Sequence, residues 1–217
     1  MYQPPHFREE DIGLKHALIR AHPLGLLISS GAEGPVANAI PFHLDATSGP
    51  NGRLQAHLAR ANTQWQAIRD GAAVLVVFQG AHSYITPSWY QTKQDTGKVV
   101  PTWNYAIVQV RGQARVIDDA DWIRAQIEAL TRDQETSRAE PWAVGDAPET
   151  FIASQIKGII GIEIDIAAID GKWKVSQNRS AEDQAGVATG LDRETGSLTD
   201  AAEMARLVRE HGKYGKS

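Results

Sequence analysis

The stretch Lys157-Gly-Ile-Ile-Gly-Ile-Glu-Ile-Asp-Ile-Ala-Ala-Ile169 decides the fold class of this chain. Its isoleucines at 160, 162, 164 and 166 alternate with Gly161, Glu163 and Asp165. A period of two residues places successive side chains on opposite faces of an extended strand. The pattern therefore predicts a β-strand with one face buried and the other face exposed to water.

Six more segments have the composition of strands. Ala72–Phe78 is apolar almost throughout, which is typical of a strand buried on both faces, as inside a barrel. The other candidates are Leu24–Ser30 with Pro35–Leu44 as a hairpin, Arg53–Leu58, His82–Thr86 and Asn104–Ile117. Helices are predicted over residues 9–21, 62–68, 118–135, from 148 onward and over 199–211, and loops over 87–98 and 176–198.

The uneven strand lengths, without a regular β–α–β alternation, favour a mainly antiparallel barrel with added helices, an α+β fold in one domain. The 217 residues are 42% apolar with a net charge of −4, which fits a folded protein and gives no support to generic nucleic-acid binding. The absence of cysteine excludes disulfides, thiolate metal sites and a cysteine nucleophile. With no signal peptide and no apolar run of about 20 residues, we expect a cytoplasmic protein without membrane contact.

Polar side chains concentrate where a predicted strand leads into a predicted helix, in the segment His57-Leu58-Ala59-Arg60-Ala61-Asn62-Thr63-Gln64-Trp65. The first turn of a helix presents free backbone N–H groups and the positive end of the helix dipole. Together with Arg60, Asn62 and Thr63, these groups form a candidate phosphate site. The alternative, in which Asn62 only caps the helix, Arg60 is solvated and Trp65 is core, stays open.

Aromatic and basic side chains concentrate in Ser88-Trp89-Tyr90-Gln91-Thr92-Lys93 and in Gly97-Lys98-Val99-Val100-Pro101-Thr102-Trp103-Asn104-Tyr105. Aromatic rings stack on flat heterocycles, and a lysine donor stabilises the negative charge of a reduced flavin. A packed aromatic corner with surface lysines is the alternative. A further basic segment, Gly171-Lys172-Trp173-Lys174-Val175-Ser176-Gln177-Asn178-Arg179, ends the last strong strand and either reaches a phosphate or is solvated.

Together these segments resemble the PaiB-like family of FMN-binding split-barrel proteins, known as FMN-binding negative transcriptional regulators. The resemblance rests on Pro87–Tyr90, Lys93 and Gly97–Tyr105, on Met1-Tyr2 with Pro5-His6-Phe7, on His22–Gly25, on Ile40–His43, on His57–Asn62 and on Lys174–Arg179. It runs in register from residue 1 to about residue 190. Two positions depart from the family pattern, Thr63 and Gln91, where the family has proline.

The resemblance implies a split β-barrel homodimer, with FMN at the subunit interface, built by residues 1–190. Residues 191–217 would form a helical extension packed on the same domain. Residues 38–41 would flank the isoalloxazine ring, residues 57–65 would hold the phosphate, and residues 89–105 would cover the ring. The implied cofactor-binding residues are Asn38, Ala39, Ile40, Pro41, His57, Leu58, Ala59, Arg60, Asn62, Trp65, Trp89, Tyr90, Lys93, Lys98, Trp103, Tyr105, Gln177 and Arg179.

The sequence leaves the activity open between a flavin-dependent oxidoreductase and a flavin-sensing transcriptional regulator, and no side chain stands out as an obligatory acid or base. Direct DNA binding finds little support, because no helix-turn-helix with basic recognition positions is evident. The one basic cluster is the tail, with Arg206, Arg209, Lys213 and Lys216. Haem is the alternative cofactor, with His43, His57 or His82 as the axial ligand.

Overall fold

The computed structural model describes residues 1–31, 33–69, 71–194 and 198–212. Its strands are β1 (Arg8–Glu9), β2 (Leu24–Gly31), β3 (Gly34–Pro41), β4 (His43–Asp45), β5 (Arg53–Ala59), β6 (Ala73–Ile85), β7 (Thr102–Ile117) and β8 (Ile159–Lys174). Its helices are α1 (Ile12–Ala21), α2 (Gln64–Arg69), α3 (Gln91–Thr96), α4 (Ala120–Glu135), α5 (Glu149–Lys157), α6 (Ala181–Arg193) and α7 (Leu198–His211). No helix in these ranges is both long and apolar enough to cross a bilayer.

The strands form one sheet with the hydrogen-bonded order β3-β2-β6-β7-β8-β5-β4, and β1 pairs with β8. The pairs β2 with β3, β2 with β6, β4 with β5, and β5 with β8 are antiparallel. The predicted hairpin forms as β2 and β3, in register from Leu24 opposite Pro41 to Gly31 opposite Gly34. The prediction of a mainly antiparallel sheet with added helices is therefore confirmed.

Two compact units divide the chain. The first unit comprises Met1–Asp11, Gln79–Val108 and Asp170–Ser217, and it contains α3, α6 and α7. The second unit comprises Ile12–Phe78 and Gln109–Ile169, and it contains α1, α2, α4 and α5. The three longest strands, β6, β7 and β8, contribute residues to both units.

The core of the second unit is built on β8, whose isoleucines at 160, 162, 164 and 166 are all buried as predicted. The prediction of a water-exposed opposite face is wrong for Gly161 and Glu163, which are also buried. The ring of Trp122 from α4 lies against Gly161. The carboxylate of Glu163 accepts hydrogen bonds from Arg53 and Arg115, so the charge is buried together with its partners.

Helix α4 begins at a side-chain cap, because the side chain of Asp119 accepts the Trp122 backbone N–H over 2.8 Å. Its apolar face packs into a cluster formed by Ile123, Val144, Ile152 and Ile156. This cluster joins α4, the 3-10 turn at Val144–Asp146 and α5. The helix predicted over residues 118–135 thus forms as α4 and presents an apolar face to this cluster.

The largest error in the predicted secondary structure concerns residues 176–198, which were expected to form a loop and instead contain α6. Ser180 caps this helix by accepting the Asp183 N–H over 3.2 Å. Gly186 and Gly190 weaken the helical pattern in the sequence. In the structure Gly186 lies against the backbone of Trp89, and Gly190 lies against its indole ring. A Cβ at position 190 would lie 2.3 Å from Cδ2 of Trp89, so close packing requires glycine there.

Three other boundaries differ from the predicted ones. The helix expected over residues 9–21 begins only at Ile12, because Arg8–Glu9 pairs with β8 as β1. The two strands expected over residues 72–78 and 82–86 form one continuous strand, β6. The polar loop expected over residues 87–98 contains α3, which ends at Gly97 in the left-handed conformation.

Gly161 allows a direct test of the contact between α4 and β8. A Cβ at this position would lie 2.4 Å from Cζ3 of Trp122. Because the ring would have to move within a packed core, we expect Gly161→Ala to lower the free energy of unfolding by about 1–3 kcal/mol. Urea-induced unfolding, followed by tryptophan fluorescence, measures this change.

The matched control is Gly145→Ala, since no atom lies within 4 Å of a Cβ built there. Its effect should stay below about 0.5 kcal/mol. Equal effects of the two substitutions would contradict the packing of Trp122 on β8.

Candidate functional site

An open cleft of about 570 Å³ lies in the first unit. It is lined by Tyr2, Pro4, His6, Phe7, Thr102, Trp103, Tyr105, Lys172 and Lys174. Its volume falls in the range of small-molecule and cofactor sites. The lining combines aromatic rings with two lysines, so the cleft offers flat apolar surface and positive charge together.

Strand β7 supplies the aromatic part of this lining through its alternation. Trp103 and Tyr105 line the cleft, whereas Asn104 between them is buried. The Asn104 amide nitrogen donates to Ser176 Oγ over 2.9 Å. This buried hydrogen bond anchors the start of β7 and thereby holds the two rings on the cleft side.

Strand β8 supplies the lysines in the same way. Lys172 and Lys174 line the cleft, while Trp173 between them is buried. The N-terminal segment is held beside them, because Gln3 Nε2 donates to the Gly171 carbonyl over 2.7 Å and β1 pairs with the end of β8. Three stretches that are distant in the sequence therefore meet in one cleft.

Lys172 is a nearly buried cation for which the described residues provide no acidic partner. The residue is 7% exposed, and its ammonium nitrogen lies 5.4 Å from the ring centre of Tyr2 and 5.3 Å from that of Tyr105. Cation–π contacts are favourable but leave the charge uncompensated. Within the described residues no carboxylate forms an ion pair with Lys172. Since an uncompensated buried charge is costly, this position favours an anion.

Within the described ranges of the chain, the acceptors that hold Lys174 are neutral. Its ammonium nitrogen donates to Thr102 Oγ1 over 2.6 Å and to the Trp103 carbonyl oxygen over 2.5 Å. Burial, and then the neighbouring charges of Lys172 and Arg179, lower the pKa of the Lys174 ammonium. An anion bound in the cleft would oppose this shift, because it favours the charged form of the amine.

The aromatic surface continues from Trp103 along β6. The ring of His82 stacks on Trp103 with 6.1 Å between the ring centres, and the ring of Tyr84 meets Trp103 edge-on at 6.0 Å. His82 Nδ1 lies 3.2 Å from a carboxylate oxygen of Asp200. The predicted haem ligand His82 is therefore placed in an aromatic cluster beside the cleft, with an acidic partner.

Trp89 and Tyr90, which the sequence places over the cofactor, pack inside the first unit and outside the lining of the cleft. Tyr90 is almost completely buried, and the guanidinium of Arg179 lies 4.6 Å from its ring centre. Burial raises the pKa of the Tyr90 phenol. Trp89 packs on α6. Trp89, Tyr90 and Arg179 are therefore packing residues of the first unit and do not line the cleft.

The two lysines of the segment 89–105, which was predicted to cover the flavin ring, lie on the surface. Lys93 is exposed and donates to Ser88 Oγ over 3.1 Å, and Lys98 is exposed as well. Of the predicted segment from residue 89 to residue 105, the structure brings only the last part, with Trp103 and Tyr105, into the cleft.

Gln177 closes the turn that follows β8. Its side chain accepts the Val175 N–H over 2.8 Å and donates to the Trp173 carbonyl over 2.5 Å. Ser176 in this turn has a left-handed backbone with φ of 68°, a strained conformation for a residue with a side chain. The turn fixes the end of β8 and the position of Arg179, so Gln177 acts as a structural residue in this geometry.

In the second unit, the predicted phosphate ligand Arg60 is engaged by internal partners. Its two terminal nitrogens donate to the two carboxylate oxygens of Asp118 over 2.9 and 2.6 Å. The guanidinium also donates to the carbonyl oxygens of Lys157 and Ile159 over 3.2 and 3.0 Å. The pairing lowers the pKa of the Asp118 carboxyl. A phosphate at Arg60 would have to displace Asp118.

The rest of the predicted phosphate segment has mainly structural contacts. The Asn62 side chain accepts the Gln64 N–H over 3.0 Å, and Trp65 Nε1 donates to the Arg60 carbonyl over 3.0 Å. Leu58 belongs to the core, and Ala59 is exposed at the end of β5.

The predicted ring-flanking residues lie on β3, the edge strand with which the sheet order begins. Asn38 Nδ2 donates to Gln64 Oε1 over 2.9 Å, and Ile40 is buried. Ala39 and Pro41 are exposed. An edge strand leaves backbone donors and acceptors open to a ligand or to a second chain, so this strand stays available for the predicted role.

The remaining predicted haem ligands, His43 and His57, contact α4. His43 Nδ1 lies 2.6 Å from a carboxylate oxygen of Asp133, and His57 Nδ1 lies 2.8 Å from Gln126 Oε1. Neither histidine lines the cleft of the first unit.

Tyr2, Lys172 and Lys174 are absent from the implied set of cofactor-binding residues, although the sequence singles out the basic segment 171–179, which contains both lysines, as reaching a phosphate or being solvated. The predicted strand ended at residue 169, whereas β8 continues to Lys174. Extending its two-residue period by five residues would have placed both lysines on one face. The position of Tyr2 depends on the long-range pairing of the N-terminal segment with β8, which no local pattern reveals.

The sheet, the helices and the cleft together define a split-barrel protein. The FAD and heme binding protein from Mycobacterium smegmatis superposes with a TM-score of 0.57, covering 77% of this chain and 73% of that chain, at 18% identity. A likeness at this identity shows the fold, and the predicted split barrel is thereby confirmed.

The chain belongs to the family described as "Putative FMN-binding domain", whose model matches residues 1–168. Uncharacterized protein AN0679 from Emericella nidulans is 37% identical over 98% of both chains. Protease synthase and sporulation protein PAI 2 from Bacillus subtilis is 28% identical over 97% of both chains. The resemblance to PaiB-like proteins is confirmed.

Proposed function

We propose that this chain binds FMN in the cleft of the first unit and acts as a flavin-dependent oxidoreductase. The observation that carries the proposal is the pair Lys172 and Lys174 beside the rings of Trp103 and Tyr105, two ammonium groups that have no acidic partner in the described part of the chain. The description of the family supports the choice of cofactor. FMN joins a flat ring system to a phosphate, so it matches both the aromatic and the cationic part of the lining.

In this proposal each lining residue has a separate task. The rings of Trp103 and Tyr105 offer flat surface to the cofactor ring and exclude water from it. Lys174, already oriented by Thr102 and the Trp103 carbonyl, presents its remaining N–H to an anionic group. Lys172 adds a charge that the ring of Tyr2 helps to hold in place. When bound, the flavin accepts and donates hydride equivalents or single electrons.

An enzymatic role is better supported than direct binding to DNA. The net charge of −4 opposes generic contact with phosphate backbones. In the predicted basic tail, Arg206 pairs with Glu210 and Arg209 pairs with Asp192, so both charges are compensated. Lys213 and Lys216 lie outside the described residues.

A homodimer is part of the proposal. Leu24, Leu26 and Val36 are large apolar side chains on β2 and β3 that are 40–64% exposed. β3 also leaves an open edge at the end of the sheet. Exposed apolar surface at an open edge supports association with a second copy.

The proposal predicts a distinct pattern in FMN titrations followed by flavin fluorescence. Lys172→Gln and Lys174→Gln should each weaken binding about tenfold or more, because each removes a charge-assisted contact. Arg60→Gln should change affinity less than about threefold, since Arg60 already pairs with Asp118. Thermal unfolding of each variant controls for loss of fold.

The opposite pattern, a large loss with Arg60→Gln and none with the lysine variants, would place the phosphate at the sequence-predicted segment in the second unit. Absence of FMN binding by the unmodified chain at micromolar concentration would refute the proposal. Hemin is titrated in parallel, and a Soret band lost in a His43, His57 or His82 variant would support the haem alternative.

The affinity for FMN should also depend on pH above about pH 8, where the phosphate of FMN is already fully ionised. Because the pKa of Lys174 is lowered from 10.5, the unliganded amine loses its proton earlier than an ordinary lysine. A bound anion raises that pKa again, so binding takes up a proton and affinity falls as pH rises through the lowered pKa.

Calorimetry in two buffers with different ionisation enthalpies measures this proton uptake. Lys174→Gln should abolish the early decrease and leave the decrease near the ordinary lysine value. An affinity that is constant up to that value in the unmodified chain would contradict the role of Lys174.

A further inference from the structure

The second unit contains a cavity of about 540 Å³ that is not part of the proposed cofactor site. One wall is the last part of α4 with its C-cap residue, and it contributes Glu128, Thr131, Arg132, Glu135 and the cap Thr136. The other wall is the segment 141–145. Spacings of three and four residues place the five side chains on one face of α4. We call this cavity the α4 groove.

The wall opposite α4 is anchored at several points. Val144 is buried in the apolar cluster beneath α4 and α5. The backbone N–H of Trp142 donates to Glu135 Oε2 over 3.1 Å, and that of Ala143 donates to Asp146 Oδ2 over 2.8 Å. Because both ends of the wall are fixed, the groove is formed without a ligand and a ligand need not order it on binding.

Trp142 gives the groove an unusual apolar surface. Its side chain is 46% exposed, although tryptophan has the largest apolar area of any residue to hide from water. Pro141, Ala143 and Val144 extend the apolar wall on either side. An exposed indole in a preformed cavity is suited to stack on a flat ring.

The charges around the groove leave one cation uncompensated. Glu128 pairs with Arg124 at 3.1 Å, and Glu135 pairs with Arg138 at 3.0 Å. Arg132, which lies between the two glutamates on the same helix face, has no ion pair within the described residues. The groove therefore presents a free guanidinium, the group that best matches a carboxylate.

We propose that the α4 groove binds a small planar aromatic carboxylate, with its ring against Trp142 and its carboxylate on the Arg132 guanidinium. Arg132 also lies in the last turn of α4, where a cation stabilises the helix dipole whether or not a ligand is bound. A test of the proposal therefore needs a binding measurement beside the stability measurement.

The probe is 1-naphthoate, titrated calorimetrically into the full chain, with the uncharged 1-naphthamide as the matched ligand. We expect saturable binding of the carboxylate and binding of the amide that is at least about tenfold weaker. Arg132→Gln and Trp142→Leu should each weaken naphthoate binding about tenfold or more. Arg132→Lys should restore only part of the affinity, since lysine lacks the planar fork of arginine.

The cleft of the first unit also combines aromatic rings with cations and could bind naphthoate. The same titration is therefore repeated with Lys172→Gln, with Lys174→Gln and with FMN present. Naphthoate binding should be unchanged in all three cases, and thermal unfolding should show that the Arg132 and Trp142 variants remain folded. The proposal is overturned if naphthoate does not bind at millimolar concentration or if the amide binds equally well. It is also overturned if the lysine variants abolish binding while Arg132→Gln does not.

Discussion

The alternation of side chains along β8 is the constraint on which the rest of the structure depends. In the second unit this alternation buries a row of isoleucines, and the strand pairs with β5. Gly161 of the same strand leaves room for the ring of Trp122. In the first unit the same two-residue period brings Lys172 and Lys174 to the cleft and hides Trp173. One strand therefore contributes to the core and delivers the charges of the candidate site, so the two roles are fixed by a single backbone register.

The desolvated ammonium groups of the cleft destabilise the folded state, and the contacts within the chain do not compensate for this. Among the residues that the structure describes, Lys172 has aromatic rings beside its ammonium group and no carboxylate, and Lys174 donates to neutral oxygens. Most buried charges in proteins are paired with opposite charges, as Glu163 is with Arg53 and Arg115 in the second unit. Two neighbouring exceptions in one aromatic cleft are the kind of local destabilisation that functional sites retain, and an anionic cofactor would relieve it.

Much of the fold follows from local patterns, whereas the site follows from long-range pairing. The isoleucine alternation of β8, the hairpin of β2 and β3 and the cap at Asp119 are all readable from the sequence. Helix α6 was missed because the indole of Trp89, about a hundred residues away in the chain, fills the space that Gly190 leaves. In the same way, nothing near Arg60 in the sequence reveals that Asp118 accepts its hydrogen bonds. The resemblance to a family supplied the cofactor and two of the cleft residues, Trp103 and Tyr105, whereas Lys172 and Lys174 stood out in the sequence only as part of a basic segment that either reaches a phosphate or is solvated.

The position of the cofactor is the central claim, and a crystal structure of the chain with FMN tests it most directly. We expect electron density for the flavin between the rings of Tyr2, Trp103 and Tyr105, with the ammonium groups of Lys172 and Lys174 within hydrogen-bonding distance of its oxygens. Flavin density at the Arg60–Asp118 pair, with the lysine cleft filled only by solvent, would contradict it.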